Sequence, residues 1–323
     1  MQTDQPKKAD RKNPLRVGLV GCGRVAEFGY LPAFGQATAV KLAGVADVNQ
    51  SRCKGIAAGV PAHESIRALI SAGGLDALVI STPTRFHLAG ARCAAEAGLP
   101  VLVEKPPGLN VGEAGALLAL NPSPWIAFNR RFEPGIAALK EALPRDASLH
   151  LHLELHYRRN SWKSFDMQDD VLLDLGPHLI DLARWLTDSE ILWARAMSLN
   201  ERRAEFELRL ERGHATISCS NNRPHYELVE VKDVLGHVSG SYRRGGLLSG
   251  IVARLQPNRE NPLVSSLVAQ LEAFGCAVRG MPGGSPLAKA ADGLAVMSAI
   301  HAVRRSAVQG GAECSLQILH QTT

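Results

Sequence analysis

The chain has 323 residues, of which 46% are hydrophobic and 21% charged, a soluble globular composition with room for two cores. Of the formal net charge of +5, Lys7, Lys8, Arg11 and Lys12 set against Asp4 and Asp10 place +2 in the first dozen residues, and with no basic stripe interleaved with aromatics the sequence argues against nucleic acid as a partner. No stretch stays apolar for the roughly 20 residues of a membrane span, and Cys22, Cys53, Cys93, Cys219, Cys276 and Cys314 form no Cys-x-x-Cys pair, which speaks against a zinc knuckle or a disulfide framework and for a reducing, cytoplasmic setting.

Residues 1–13 are polar, lack the apolar core of a signal peptide, and are expected to form a loose, disordered tail. From residue 14 to 128 short apolar runs alternate with amphipathic stretches: RVGLVG, VKLAGVAD, ALVIST, PVLVEK and PWIAFN. Strands buried on both faces read this way, and their alternation with helices predicts an α/β, doubly wound parallel sheet of Rossmann type.

Directly after the first strand, Gly21, Cys22, Gly23, Arg24 and Val25 lead to Ala26 in a G-x-G-x-x-A pattern. The first glycine permits a tight turn, the second lets a pyrophosphate approach the backbone, and the small third residue allows close helix packing. Asp47 closes the second strand 21 residues after Ala26, where a carboxylate accepts hydrogen bonds from an adenosine ribose and repels a 2′-phosphate. NAD is therefore the expected coenzyme, with NADP the alternative if Arg52 turns toward that phosphate.

Later strands end in the same crevice. Ser81, Thr82 and Pro83 close ALVIST, and Glu104 and Lys105 close VLVEK before Pro106 and Pro107 stop the ladder. A charged pair at the tip of a buried strand suits a place where the strand meets a ligand cleft. The alternative for Lys105 is a solvated structural partner of Glu104. A cis bond before Pro106 fits this stop.

From residue 129 to 323 the texture changes. SLHLHLELHYRR alternates strictly, with Leu149, Leu151, Leu153, Leu155 and Tyr157 on one side and His150, His152, Glu154, His156 and Arg158 on the other. This period of two, continued in EFELRLERG and HYELVEVKD, predicts an α+β domain with a large open, mainly antiparallel sheet, wet on one face. Its one-faced character predicts a homodimer or homotetramer. The histidine face could chelate a metal, but an open sheet face suits a subunit contact better, so no metal is expected. A last helix is expected over 286–305.

Six ordered segments, GLVGCGRVA, ADVN, STPTRFH, VEKPPGLN, FNRRFEP and VLLDLGPHLIDLARWL, together resemble the Gfo/Idh/MocA family of glucose-fructose oxidoreductases and inositol dehydrogenases, from about Leu15 to Leu186. The resemblance implies an NAD(P)-dependent oxidoreductase with a sugar, nucleotide sugar or cyclitol bound between the two domains. It makes Lys105 the catalytic lysine of a Glu-Lys-Pro motif, and Asp174 and His178 an Asp-x-x-x-His pair. It also sets Asn129 and Arg130 beside the cleft and His87 near the nicotinamide, although His87 at a helix start also suits a purely structural role. Arg158 and Trp162 are expected to border the substrate. Two other outcomes share the resemblance: a glycosidase that oxidises its sugar only transiently, and a catalytically silent ligand sensor.

The chemistry of the residues agrees. Oxidising a secondary alcohol needs a base for the hydroxyl proton and a positive group for the developing alkoxide. His178 suits the first role and Lys105 the second, or a share of the proton. Asp174, four positions before His178, either orients the imidazole from the same helix face or caps a helix starting near Gly176 and Pro177. Where members of the family often carry glycines, this chain has Met167, Gln168, Asp169 and Asp170, whose carboxylates either select a hydroxyl-rich or cationic substrate or simply face water.

Overall fold

The computed structural model describes residues 13–158, 169–246, 261–281 and 286–316. The expected apolar runs form β1 (Leu15–Val20), β2 (Val40–Ala46), β4 (Ala77–Ile80), β5 (Val101–Glu104) and β6 (Trp125–Ala127), with β3 reduced to Ala62–His63. They lie in the order β6-β5-β4-β1-β2-β3, all parallel. All four residues of β4 and of β5 are buried, because helices cover both faces. Three of those helices begin at side chains that accept from a free backbone amide: Asn49 before α2 (Gln50–Ile56), Ser65 before α3 (Ile66–Ser71) and Asn110 before α5 (Val111–Leu118). Strand order reverses between β1 and β4, which opens a crevice at their carboxyl ends.

The second sheet runs β12-β11-β7-β10-β9-β8-β14, the last being the short edge strand Cys314–Ser315. Its long members are β7 (Leu149–His156), β8 (Ile191–Asn200), β9 (Arg203–Leu210), β10 (Gly213–Ser220), β11 (Tyr226–Lys232) and β12 (Val238–Gly245). All neighbours are antiparallel except β7 and β10. Leu149, Leu151, Leu153 and Leu155 of β7 are buried in one core with Leu172, Leu175, Leu179 and Leu182 of α7 (Val171–Thr187). The alternation therefore reports its faces correctly, with one exception. His156, expected on the wet side, is buried, its ring stacked on Tyr226 at 6.2 Å between centroids.

The chain then returns to the first sheet. Asn261 caps α8 (Pro262–Val278), whose Val264, Leu267, Leu271 and Phe274 pack with Tyr30, Phe34 and Val40 in a second core. The approach is close: a Cβ on Gly29 would lie 2.7 Å from Leu267 Cδ1. β13 (Ala288–Lys289) pairs antiparallel with β6, so the last long helix, α9, runs Ala290–Val308 instead of starting at 286. The stretch before it is spent on pairing with the sheet edge.

Candidate active site

β1 ends in the glycine turn. Gly21 has φ +97°, and a Cβ there would lie 2.7 Å from the backbone of Ser81 and Thr82, so only glycine lets β1 and β4 approach this closely. At Gly23 a Cβ would meet nothing within 4 Å, so this position faces open space. Asp47 braces the turn: its Oδ2 accepts from the Cys22 amide at 2.7 Å and its Oδ1 from the Asn49 amide at 2.8 Å. Arg52 turns inward, donating to the Cys22 carbonyl and to Glu27 Oε2, the latter at 2.7 Å. Beneath the turn the Cys22 and Cys53 sulfurs lie 3.1 Å apart, both buried, and burial pushes both thiols up.

β4 and β5 supply the next wall. Ser81 Oγ donates to the Gly21 carbonyl at 2.9 Å, while Thr82 Oγ1 is buried without a hydrogen-bond partner among the described residues. His87, at the start of α4 (His87–Glu96), lies under the cleft with Nδ1 2.8 Å from the Pro106 carbonyl and Nε2 2.8 Å from that of Thr82. It thus clasps the ends of β4 and β5 from below. Burial lowers its pKa against the opposing pull of the two carbonyls.

The charged tip of β5 divides its two side chains. Glu104 points back, accepting from Tyr30 Oη at 2.7 Å and from the Lys105 amide at 3.1 Å, and burial pushes its carboxyl up. Lys105, after which the bond to Pro106 is cis, reaches forward to Asp174 of the helix behind the second sheet. Its Nζ donates to the Asp174 carbonyl at 2.9 Å and to Asp174 Oδ1 at 3.2 Å. The alternative pairing of Lys105 with Glu104 is therefore not made through the ammonium.

α7 begins earlier than expected. Asp170 is its cap, with Oδ1 accepting from the Leu173 amide at 2.8 Å, and Pro177 sits inside the helix. Asp174 is thus no cap, and its carboxylate meets Lys105. No hydrogen bond joins it to His178, whose Nδ1 is buried without a partner among the described residues. Burial, then Lys105 and Arg130, hold the His178 pKa well below the usual range, so the imidazole is neutral. Asp169 and Asp170 have internal partners as well: Thr84 Oγ1 donates to Asp169 at 2.8 Å and Arg304 to Asp170 at 2.9 Å.

These elements enclose a cavity of about 700 Å³. Gly23, Arg24, Val25, Ser81, Thr82, Pro83, Glu104, Lys105, Asn129, Arg130, Asp174 and His178 all line it. Gly21, Cys22, Asp47, Arg52, His87 and Arg158 do not appear in its wall, and Trp162 lies outside the described residues. Sequence reasoning did not find Tyr157, His225 and Arg244, which also line it. Tyr157 was in plain view at the end of an alternating strand, whereas His225 and Arg244 come from a β11–β12 hairpin that no local signal directs to the cleft.

The donor set fits a dinucleotide. The open face at Gly23 and the unpartnered Thr82 Oγ1 lie at the strand switch, where the Asp47 carboxylate braces the turn.

Residues 15–123 match the family model GFO_IDH_MocA, described as an oxidoreductase family with an NAD-binding Rossmann fold. The chain is 33% identical over 191 residues to UDP-N-acetylglucosamine 3-dehydrogenase of Acidithiobacillus ferrooxidans, covering 57% of this chain and 58% of that protein. It is 31% identical over 193 residues to inositol 2-dehydrogenase 2 of Saccharopolyspora erythraea, covering 56% of each. In both cases the match spans less than two thirds of the curated relative. The fold matches scyllo-inositol dehydrogenase from Lactobacillus casei, solved with NAD(H) and scyllo-inositol, with a TM-score of 0.77 at 18% identity over 94% of this chain and 99% of that one. Among the described residues no helix is long and apolar enough to cross a membrane. Residues 15–123 are thus similar to the NAD-binding Rossmann fold of the GFO_IDH_MocA family model, and the two-sheet architecture of the chain is the fold of that scyllo-inositol dehydrogenase.

Proposed function

We propose that the protein is an NAD-dependent dehydrogenase that oxidises a secondary hydroxyl of a sugar, nucleotide sugar or cyclitol. The observation that carries this reading is the convergence of Lys105, Asp174 and His178, from two different sheets' helices and strands, on one cavity whose other wall is the glycine turn. The names of the relatives, an inositol dehydrogenase and a nucleotide-sugar dehydrogenase, support the substrate class.

Bound along the switch crevice, NAD⁺ supplies the hydride acceptor. Asp47 holds the turn and keeps acceptor capacity for a ribose hydroxyl, and Arg52, engaged with Glu27, is turned away from a 2′-phosphate, which favours NAD over NADP. His178 is kept neutral and so is ready to accept the substrate hydroxyl's proton. Lys105 offers its Nζ to the oxygen on which negative charge develops, and Asp174 holds that nitrogen in place from the far side. Thr82, Glu104 and Asn129 fix the strand tips around them; Asn129 donates to Ser266 Oγ at 3.1 Å and so ties the site to α8.

In this reading residues 14–128 hold the coenzyme, residues 129–323 hold the substrate, and the uncovered face of the second sheet joins copies of the chain. A coenzyme fluorescence screen against sugars, nucleotide sugars and inositols tests the activity. Stoichiometric NADH with a ketone product is expected; cleavage of a glycoside without net NADH would replace this reading with the transient-oxidation glycosidase.

A further inference from the structure

The two arginines of the FNRRF segment are used in opposite ways. Arg131 is buried and saturated, gripping Asp181 with two nitrogens at 2.8 and 2.5 Å. Arg130 faces the cavity and gives Glu227 one nitrogen, at 2.8 Å. Its Nε and Glu227 Oε1 are both buried without a hydrogen-bond partner among the described residues. Glu227 is directly opposite Arg244 across the β11–β12 ladder, and Arg244 also lines the cavity. The Arg244 guanidinium makes no hydrogen bond or ion pair with the described residues, unlike one recruited to complete a structural pair.

The carboxylates of this corner stand behind the guanidinia. Glu227 is fully buried and Glu133 nearly so, and neither is part of the cavity wall. The wall itself presents Arg130, Arg244, His225 and Tyr157, all of which can donate hydrogen bonds. Burial and the two arginines push the His225 pKa down to about 4, a sign of the positive field in this corner. The other cavity arginines have different settings: Arg24 lies over the Phe28 ring at 5.0 Å and Arg85 over Phe86 at 4.9 Å, on the coenzyme's side of the cleft.

We propose that the substrate bears an oxyanion, a carboxylate or a phosphate, and that Arg244 and Arg130 receive it on the wall built by β11 and β12. The inference rests on the dehydrogenase reading for the identity of the site, but its evidence is the arrangement of these four side chains. A planar fork with unused N–H groups matches an oxyanion in a way a neutral hydroxyl does not. Glu227 holds Arg130 in place and leaves its remaining donors for the ligand.

The test is calorimetric titration of the full chain, saturated with NADH, with matched pairs: glucuronate against glucose, glucose 6-phosphate against glucose, and inositol 1-phosphate against inositol. At least one anionic member is expected to bind about tenfold or more tighter than its neutral partner, and the better of carboxylate and phosphate identifies the group. Arg244→Gln is expected to reduce that preference to about twofold or less. Because losing Arg130 alone would strand a buried carboxylate, the second variant is the pair Arg130→Gln with Glu227→Gln, which should also erase the preference. Equal affinity for charged and neutral partners, no binding by any anionic member, or a preference that survives both variants would overturn the proposal. NADH formation is followed in parallel. Selective anion binding without turnover would leave the proposal standing and remove the dehydrogenase reading, whereas turnover indifferent to charge would do the reverse.

Discussion

Lys105 Nζ and the Asp174 carboxylate meet at 3.2 Å across a sequence separation of 69 residues, one at the tip of a parallel strand and the other in the first turn of the helix that backs the second sheet. This contact joins the strand tips of the first sheet to the helix behind the second. Replacing Lys105 with Ala or Met should lower kcat by roughly 10²–10⁴-fold, the usual contribution of a positioned proton-transfer or charge-stabilising group. A fluorescence titration should find NADH affinity unchanged, since the lysine lies beyond the glycine turn. Asp174, with 5% of its side chain exposed, loses the Lys105 ammonium in the variant, so a stability loss is also expected. It should fall below the roughly 3–5 kcal/mol of a fully buried pair, because the Lys105 side chain keeps 18% of its surface exposed. Near-normal turnover in Lys105→Ala would remove the lysine from the mechanism.

The two glycines of the turn should respond differently to alanine. Gly21→Ala places a Cβ 2.7 Å from the Ser81 and Thr82 backbone at a positive φ, and the expected loss is about 2 kcal/mol or more in urea denaturation. Gly23→Ala meets open space, so its denaturation midpoint should match wild type while NADH affinity falls. An undiminished affinity in Gly23→Ala would show that the coenzyme passes elsewhere.

Asp47→Ser should shift the ratio of NADP to NAD binding upward by removing the charge that repels a 2′-phosphate. The Cys22 amide loses its acceptor in this variant, at a cost of about 1 kcal/mol. Arg52→Gln should leave that ratio unchanged, because its guanidinium is occupied by Glu27 and the Cys22 carbonyl. Parallel titrations with both coenzymes measure the two effects.

His225 makes stability fall in acid. Its folded pKa is down to about 4, from an ordinary 6.5, so above about pH 6.5 it is neutral in both states and costs nothing. As pH falls from there toward 4, the unfolded chain takes up a proton that the folded chain refuses, and stability declines. Buried carboxylates such as Glu227, whose pKa is raised, act with the opposite sign, so the useful quantity is the difference between wild type and His225→Gln. That difference should favour the variant increasingly between pH 6.5 and 4, measured by urea denaturation at several pH values.

The first sheet was legible because strands buried on both faces leave unbroken apolar runs, and the glycine turn because backbone φ and close approach demand particular residues. Lys105, Asp174 and His178 were legible as a set but not in their contacts. Spacing on a helix suggested that Asp174 would orient His178, yet a strand tip of the first sheet reaches the carboxylate. Long-range pairing of this kind leaves no local trace. Likewise the acidic stretch before α7 resolves into a cap at Asp170 and a brace at Asp169, roles set by where the helix begins. Arg130 and Arg131 are adjacent and chemically identical; only the location of Asp181 and Glu227 decides which is fastened and which is left facing the cavity.

α8 covers the Tyr30, Phe34 and Val40 side of the first sheet, and it is made after the whole of the second sheet's main strands. A chain emerging from the ribosome therefore carries a bare apolar back behind its glycine turn for most of its synthesis. That face is closed only when residues 262–278 dock, so a chain cut short between the first sheet and this helix should leave the apolar surface around Tyr30, Phe34 and Val40 bare.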